Sequence, residues 1–269
     1  MDPLTWFVAY VLSYVAFAIL VAGVVFKIGR WAMTPVPLKI ATTPAPSTLV
    51  GVAGRMTGEV VLFRSLFRSD KVLWGGAIAF HLLFLYLLFG HLINLAFNGL
   101  WVSLGLFWYN LLGYVGVAFL GVVLFLSLRR VAVDYIRYVS KVADYFVLGL
   151  LFTIAALGLY MHFDTSVSVS SVSSYLLGLF TFSFTQPPTD PIFTLHLFFV
   201  EVLMIYFPAS KLMHGAGVLF SPTRNQRDDA RARRKVNPWN ESSTPRLQSW
   251  EEYYQQYKAD LDKIEEGGA

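Results

Sequence analysis

The sequence contains no cysteine, and charged residues make up only 14% of its 269 residues. Without thiolates the chain cannot form disulfides or bind an iron–sulfur cluster through sulfur, so any such chemistry must belong to another subunit. Hydrophobic residues make up 56% of the chain and the mean hydropathy is +0.56. This composition excludes an ordinary soluble domain and predicts an all-α integral membrane protein.

Lysine and arginine are absent from three long stretches, residues 1–26, 72–128 and 142–210. Five apolar runs are near or above the length that crosses a bilayer, namely residues 6–26, 72–97, 104–128, 145–163 and 194–220. Five crossings place all 21 positive charges on one side, which the positive-inside rule assigns to the cytoplasm. The sequence therefore predicts a multi-pass protein of the cell (inner) membrane, with the N-terminus outside and the C-terminus in the cytoplasm. The positive charges are distributed as this topology requires, so the net charge of +4 does not indicate a nucleic-acid partner.

Four of the five histidines lie in the second and fifth apolar runs. His81 and His91 are separated by about 15 Å along an ideal helix, and His196 and His214 by about 27 Å on one face. Because these two helices run antiparallel, we expect His91 to face His196, and His81 to face His214. Ionisable residues at this depth are rare and usually functional. A bis-histidine haem takes one imidazole from each side of its iron, so the two pairs predict two haems b.

The two axial separations differ, so the pairs do not close on ideal helices. Pro208 lies between His196 and His214, and we expect it to bend the fifth helix. The alternative interpretation gives each histidine an interhelical hydrogen bond and no metal. His162 lies at the outer end of the fourth helix beside Asp164, has no partner at depth, and is not expected to be a ligand.

Helices are also predicted outside the five crossings. The pattern of residues 58–68 predicts an amphipathic helix at the membrane interface, and residues 174–184 predict a surface helix on the outer side. The cytoplasmic loop 134–144 is expected to be partly helical. Residues 34–46 contain closely spaced prolines and predict an irregular loop.

The chain divides into a five-helix membrane domain, 1–220, and a polar cytoplasmic tail, 221–269. Ser249 and Glu252 have the spacing of a capping box. From there, six apolar or aromatic residues recur at helical spacing: Trp250, Tyr253, Tyr254, Tyr257, Leu261 and Ile264. An apolar stripe on a single short helix needs a surface to cover it, which predicts a docking element. Two alternatives are that the helix folds back on the chain's own loops, and that the basic run 224–235 binds lipid.

Several motifs resemble the respiratory nitrate reductase gamma-subunit type of dihaem cytochrome b. They are the two histidine spacings, Arg129-Arg130 at the end of the third helix, Ala143-Asp144 at the start of the fourth, and Phe207-Pro-Ala-Ser-Lys-Leu-Met-His214. The tail is similar, more narrowly, to the DsrM or HmeC branch, the cytochrome b subunit of the membrane complex of sulfate reducers.

The resemblance implies a subunit that passes electrons between menaquinone and a cytoplasmic iron–sulfur subunit of the heterodisulfide reductase type, within a complex of further subunits. It assigns His91 and His196 to an outer haem, and His81 and His214 to an inner haem. Quinol sites in the nitrate reductase branch use a lysine near the outer haem, and this chain has no lysine or arginine on that side.

Other groups must therefore accept the protons of the quinol, and the candidates are Glu201, Asp164 and His162. The alternatives are a gamma-type subunit of a nitrate-reductase-like or heterodisulfide reductase complex, a structural anchor for a soluble enzyme, and a secondary transporter that uses Glu201 and Asp164.

Overall fold

The computed structural model describes residues 1–35, 41–96, 106–163, 167–229 and 249–266. Within these residues, five helices are long and apolar enough to cross a membrane. We call them the first to fifth spans: Pro3–Met33, Lys71–Ala96, Leu106–Ala132, Val142–Phe163 and Pro191–Tyr206. The number of crossings predicted from hydropathy is confirmed, and the second to fourth predicted runs agree with the helices to within a few residues. The chain forms two compact units, Met1–Asp228 and Asp229–Ala269.

The fifth span ends at Tyr206, so the prediction of one bent helix to residue 220 is wrong. Pro208 lies in a 3₁₀ turn, Phe207–Ala209, because its ring removes one donor and clashes with the preceding turn. Ser210 then adopts an extended conformation and accepts a hydrogen bond from the Leu212 amide at 3.1 Å. His214 therefore follows a break in the helix, and its position does not follow from the helical period.

The first span contains a π-helical turn, Phe7–Leu12, between two α-helical segments. The N-terminus of the first span is capped by Asp2, which accepts a hydrogen bond from the Thr5 amide at 2.9 Å. The π turn changes the backbone hydrogen bonds, and side chains bond to its carbonyl groups: the hydroxyl groups of Ser13 and Tyr175 both contact the carbonyl oxygen of Ala9. A π turn leaves backbone acceptors outside the usual ladder, and such turns occur frequently at functional sites.

Shorter helices lie between the spans. Helix Leu49–Val61 and helix Arg64–Ser69 are separated by Phe63 in a left-handed conformation (φ 48°), so the single helix predicted over 58–68 is wrong. The pattern of alternating apolar residues and arginines did not reveal that kink. The loop 134–144 is partly helical as predicted, as Asp134–Val139. A helix also covers most of the predicted surface segment 174–184, but it begins earlier and ends earlier, as Val169–Thr181, because Phe182 adopts a left-handed conformation.

Ion pairs join the spans on the side where lysine and arginine occur, which we call the basic side. Arg129 at the end of the third span pairs with Asp70 at the start of the second. Asp144 at the start of the fourth span lies 3.6 Å from Arg130 and 2.7 Å from Lys211. These pairs place the ends of four spans at one level.

Asp70 serves two elements at once, because it accepts a hydrogen bond from the Leu73 amide at 2.8 Å and also pairs with Arg129. These contacts hold the pKa of Asp70 below its usual value. A depressed pKa means that the stabilisation is present above the ordinary pKa and is lost as the pH falls through the lowered one.

We predict that Asp70→Ala lowers the midpoint of thermal unfolding at neutral pH, and that the difference from the wild type shrinks in acid. Asp134→Ala is the matched control, because Asp134 also pairs with an arginine, Arg137 at 2.8 Å, but only within one exposed turn. Equal effects of the two substitutions at neutral pH would contradict a role for Asp70 in joining two spans.

Candidate functional site

His81 on the second span and His214 after the break in the fifth span face each other. Their ring centroids are 5.8 Å apart and the ring planes are inclined at 84°. The Nδ1 atom of His81 lies 2.7 Å from the carbonyl oxygen of Ala77, and that of His214 lies 2.9 Å from the carbonyl oxygen of Lys211. A carbonyl can only accept, so Nδ1 is the donor in both rings and Nε2 is left as the acceptor. This arrangement fixes the tautomer that binds a metal.

This inner pair, His81 and His214, meets the requirement for a bis-histidine iron. With metal–imidazole bonds of about 2.1 Å, two rings on opposite sides of one metal have centroids roughly 6 Å apart. The described residues contain no cluster of three or more histidine, cysteine, aspartate or glutamate side chains. Two axial imidazoles are nevertheless sufficient for haem, because the porphyrin supplies the other four ligands. The residues present therefore fit a haem b.

The outer pair is His91 on the second span and His196 on the fifth. The Nδ1 atom of His91 donates to the carbonyl oxygen of Leu87 at 2.7 Å, as in the inner pair. An electrostatic interaction links His91 to His196. The Nδ1 atom of His196 is buried and has no hydrogen-bond partner among the described residues at ordinary geometry, although the backbone of Ile154 interacts with the ring. The structure therefore brings His91 and His196 into interaction, as the sequence predicts for the outer pair.

A glycine on the fourth span makes room for His196. A Cβ atom on Gly158 would lie 3.1 Å from Cε1 and 3.5 Å from Nδ1 of this ring. His162, one turn further along the same helix, packs over Gly113 of the third span, where a Cβ atom would lie 2.5 Å from the ring. His196 thus occupies a gap left by a glycine of the fourth span, and His162 a gap left by a glycine of the third.

A cleft of about 590 Å³ lies between the third and fourth spans at the level of His162. Its lining is apolar except for Tyr160, and consists of Leu120, Ala156, Leu159, Tyr160 and Phe163. Tyr160 and Phe163 are exposed at its edge. Since Gly158 of the same helix contacts His196, the cleft lies about one helix diameter, roughly 10 Å, from the outer pair.

The structure separates two of the three proposed proton acceptors, His162 and Glu201. His162 is half-buried beside the cleft, and Asp164 lies outside the described residues. Glu201 is only 1% exposed and faces the first span, where the Ser13 hydroxyl lies 2.5 Å from Oε1. Sequence analysis missed Ser13 and Tyr175 as neighbours of Glu201. The signal available was a serine within an apolar run free of lysine and arginine.

The contact between Gly158 and His196 predicts a test of the outer pair. Gly158→Leu should displace His196 and lower the haem bound per chain by one, with the inner haem retained. Gly149→Leu is the control, because a Cβ at Gly149 of the same helix meets no atom within 4 Å. The measurement is the haem-to-protein ratio of the purified variants, and full haem content in Gly158→Leu would contradict the prediction.

Comparison with known proteins agrees with these features. The profile of the family described as "Nitrate reductase gamma subunit" matches residues 64–229, which include all four paired histidines. Over 95% of both chains, the sequence is 32% identical to the "Hdr-like menaquinol oxidoreductase cytochrome b-like subunit" of Archaeoglobus fulgidus. The protein of the same description from Archaeoglobus profundus is 31% identical, over 97% of this chain and 96% of that one. The resemblance inferred from the histidine spacings is thereby confirmed, and the chain belongs to the nitrate reductase gamma subunit family.

Proposed function

We propose that this chain is the membrane cytochrome b subunit of a respiratory complex. In this proposal it passes electrons between the menaquinone pool and a cytoplasmic iron–sulfur subunit of the heterodisulfide reductase type, in dissimilatory sulfur metabolism. The two relatives from Archaeoglobus are described as cytochrome b-like subunits of a menaquinol oxidoreductase, which supports the electron-transfer role. The sulfur chemistry would reside in another subunit, since this chain has no cysteine.

The observation that carries the proposal is the inner pair, with two imidazoles 5.8 Å apart whose Nδ1 atoms are both held by backbone carbonyls. A hydrogen-bonding role alone would direct each ring toward the neighbouring helix. Here each ring is instead anchored through Nδ1 to its own helical turn, which leaves Nε2 as the nitrogen available to a metal between the two rings. The proposal extends the same ligation to His91 and His196, giving two haems b.

Haem, when bound, supplies one-electron transfer, and the protein supplies ligands, orientation and exclusion of water. His91 and His81 are ten residues apart on one helix, so the two sites are separated by about 15 Å along its axis. Electrons would cross the membrane from the outer pair to the inner pair, which lies toward the basic side. The positive-inside rule assigns that side to the cytoplasm, with the N-terminus outside.

Quinol oxidation is proposed near the outer pair. The cleft beside His162 is apolar enough for a prenylated ring and carries a phenol, Tyr160, at its edge. His162 and Asp164 are the candidates for accepting protons there, because a base must come within hydrogen-bond reach of the quinol hydroxyl. Glu201 is the third candidate, and its burial against the first span favours a role after the first proton transfer.

The tail helix, Trp250–Glu266, is the proposed docking element for the iron–sulfur subunit. Its capping box is present, since the Glu252 amide donates to Ser249 at 3.2 Å and the Ser249 amide donates to Glu252 at 3.1 Å. The rings of Trp250 and Tyr253 stack at 5.6 Å, and those of Tyr253 and Tyr257 lie 4.7 Å apart. All three are exposed, so the helix presents a ready-made aromatic surface. The side chains of Leu261 and Ile264, which complete the predicted stripe, lie outside the described residues.

The central experiment measures haem and its reduction. We expect the purified protein to contain two haems b that a menaquinol analogue reduces. His91→Ala should lose the outer haem and keep the inner one, because the iron loses one of only two protein ligands. His162→Ala is the matched control and should keep both.

Each other outcome has a definite meaning. Colourless protein would exclude an electron carrier and favour a secondary transporter. Haem that no quinol analogue reduces would favour a structural anchor. One haem per chain in the wild type, or two in His91→Ala, would overturn the assignment of the outer pair.

A second experiment tests the tail. Deleting residues 238–269 should leave both haems and their spectra unchanged, while the iron–sulfur subunit no longer co-purifies with the complex. A point variant, Tyr253→Glu with Tyr257→Glu, should have the same effect because it places charge on the aromatic surface. Gln255→Glu adds charge to the opposite face of the helix and is the control. Normal stoichiometry of the partner in the deletion variant would show that docking occurs elsewhere.

A further inference from the structure

Glu201 is a carboxyl group buried inside the membrane unit, away from the basic side. It is 1% exposed, its Oε1 atom lies 2.5 Å from the Ser13 hydroxyl, and its Oε2 atom is buried with no hydrogen-bond partner among the described residues. The stretches that surround it, residues 1–26 and 142–210, contain no lysine or arginine. A carboxylate at this place would therefore be both desolvated and without a counter-charge.

The hydrogen-bond partner of Glu201 among the described residues is the Ser13 hydroxyl, which is itself surrounded by acceptors. The Ser13 hydroxyl lies 3.3 Å from the carbonyl oxygen of Val8 and 3.1 Å from that of Ala9, both in the π-helical turn. Tyr175 of the surface helix donates its hydrogen to Ala9. Burial raises the pKa of Tyr175 well above its ordinary value, so its hydroxyl stays protonated. Ser13 thus holds the only remaining hydrogen among these groups.

This distribution of hydrogen-bond donors and acceptors favours the neutral acid form of Glu201. If Glu201 carries the proton, Oε1 donates to Ser13, and Ser13 donates in turn to a carbonyl of the π turn. Every hydrogen then has an acceptor, and Oε2 is a neutral carbonyl oxygen. If Glu201 is ionised, the Ser13 hydrogen satisfies one oxygen and a charged, buried oxygen is left alone, which is far more costly.

The distance between Ser13 and Glu201 also distinguishes a proton from a metal cation. Two oxygens from different residues that both bind a cation, each at about 2.4 Å, lie further apart than 2.5 Å because they repel each other. A separation of 2.5 Å is that of two oxygens joined by a hydrogen bond. The contact between Ser13 and Glu201 therefore fits a hydrogen atom between the two oxygens, and not a sodium ion.

We propose that Glu201 and Ser13 form a buried proton-binding site that is coupled to the redox state of the outer pair. Glu201 lies five residues after His196 on the fifth span, about 7.5 Å along the helix axis. A positive charge at the iron between His91 and His196 favours the carboxylate, and its neutralisation by one electron favours the acid. Oxidation of one quinol releases two electrons and two protons. For each electron that reduces the outer site, the Glu201 carboxylate would take up one proton and become a carboxylic acid, and it would release that proton when the electron moves on to the inner site.

This coupling rests on the proposed function only for the presence of iron at the outer pair. The titratable groups that face the site are Tyr175 from the surface helix and, around Tyr175, Tyr10 and Tyr14 from the first span. Low polarity between Glu201 and His196 strengthens the interaction between their charges. The fifth span thus carries both a ligand of the outer haem and a group that compensates its charge.

Glu59 provides an internal comparison, because it also forms a pair with a serine. The Ser65 hydroxyl donates to Glu59 at 2.6 Å, outside the spans. Partial burial opposes the charge of Glu59, but the hydrogen bonds from Ser65 and the charges of Arg224 and Arg55 outweigh it and keep the pKa below its usual value. Glu59 is therefore ionised at neutral pH, and Glu59→Gln is a matched control for Glu201→Gln.

The test is infrared difference spectroscopy of the purified protein during electrochemical reduction. We expect a carboxylic acid C=O band that appears as the outer haem is reduced and shifts in heavy water. The band should be absent in Glu201→Gln, unchanged in Glu59→Gln, and moved in frequency in Ser13→Ala, where the acid loses its partner. In the wild type the midpoint potential of the outer haem should fall with rising pH by up to about 59 mV per unit, and this slope should vanish in Glu201→Gln.

Haem content measured on every sample separates the two proposals. Absence of the outer haem from the wild type would contradict the proposed function. With the haem present, a band that persists in Glu201→Gln or a potential independent of pH would overturn the coupling alone. A potential that follows sodium concentration and not pH would show that the site binds sodium, and would also overturn it.

Discussion

The approach of His81 and His214 depends on the break in the fifth span. On a continuous helix, residues 196 and 214 would lie about 27 Å apart along the axis, while residues 81 and 91 span only about 15 Å, so one pair could close and the other could not. The turns around Pro208 release the chain from the helical period and bring His214 to His81. A proline thus makes two histidine pairs possible on two antiparallel helices.

A break in a helix inside a membrane exposes backbone groups that lipid cannot satisfy, so side chains must do so. Lys27 of the first span donates to the carbonyl oxygen of Pro208 at 2.9 Å, and Gly23 allows the proline ring to approach, since a Cβ atom there would lie 2.6 Å from it. At the other end of the same span, Ser13 and Tyr175 contact the carbonyl oxygen of Ala9 in the π turn. The first span therefore supports the irregular backbone on which both sites depend.

Carboxyl groups of the membrane unit lie in two contrasting environments. On the basic side Asp70 and Asp144 pair with arginine and lysine, and they join the ends of the spans. Glu201 lies in a stretch without lysine or arginine, and its hydrogen-bond partner among the described residues is the Ser13 hydroxyl. The charged carboxylates on the basic side stabilise the fold through fixed ion pairs. Glu201, within the fifth span, has no such ion pair, which is the condition that the proposed proton exchange requires.

The sequence by itself determined the number of spans, the side that carries the positive charges, the four paired histidines and the capping box of the tail helix. These features depend on composition, on short-range spacing and on the cost of placing charge in lipid, all of which one chain segment expresses alone. Tertiary structure decided where the fifth span ends, how Phe63 divides two short helices, and which groups surround Glu201. Each of those depends on contacts between residues far apart in sequence: Ser13 reaches Glu201 across 188 positions, and Tyr175 reaches Ala9 across 166. Local periodicity does not predict such contacts, because the free energy that selects them arises only when the spans pack against each other.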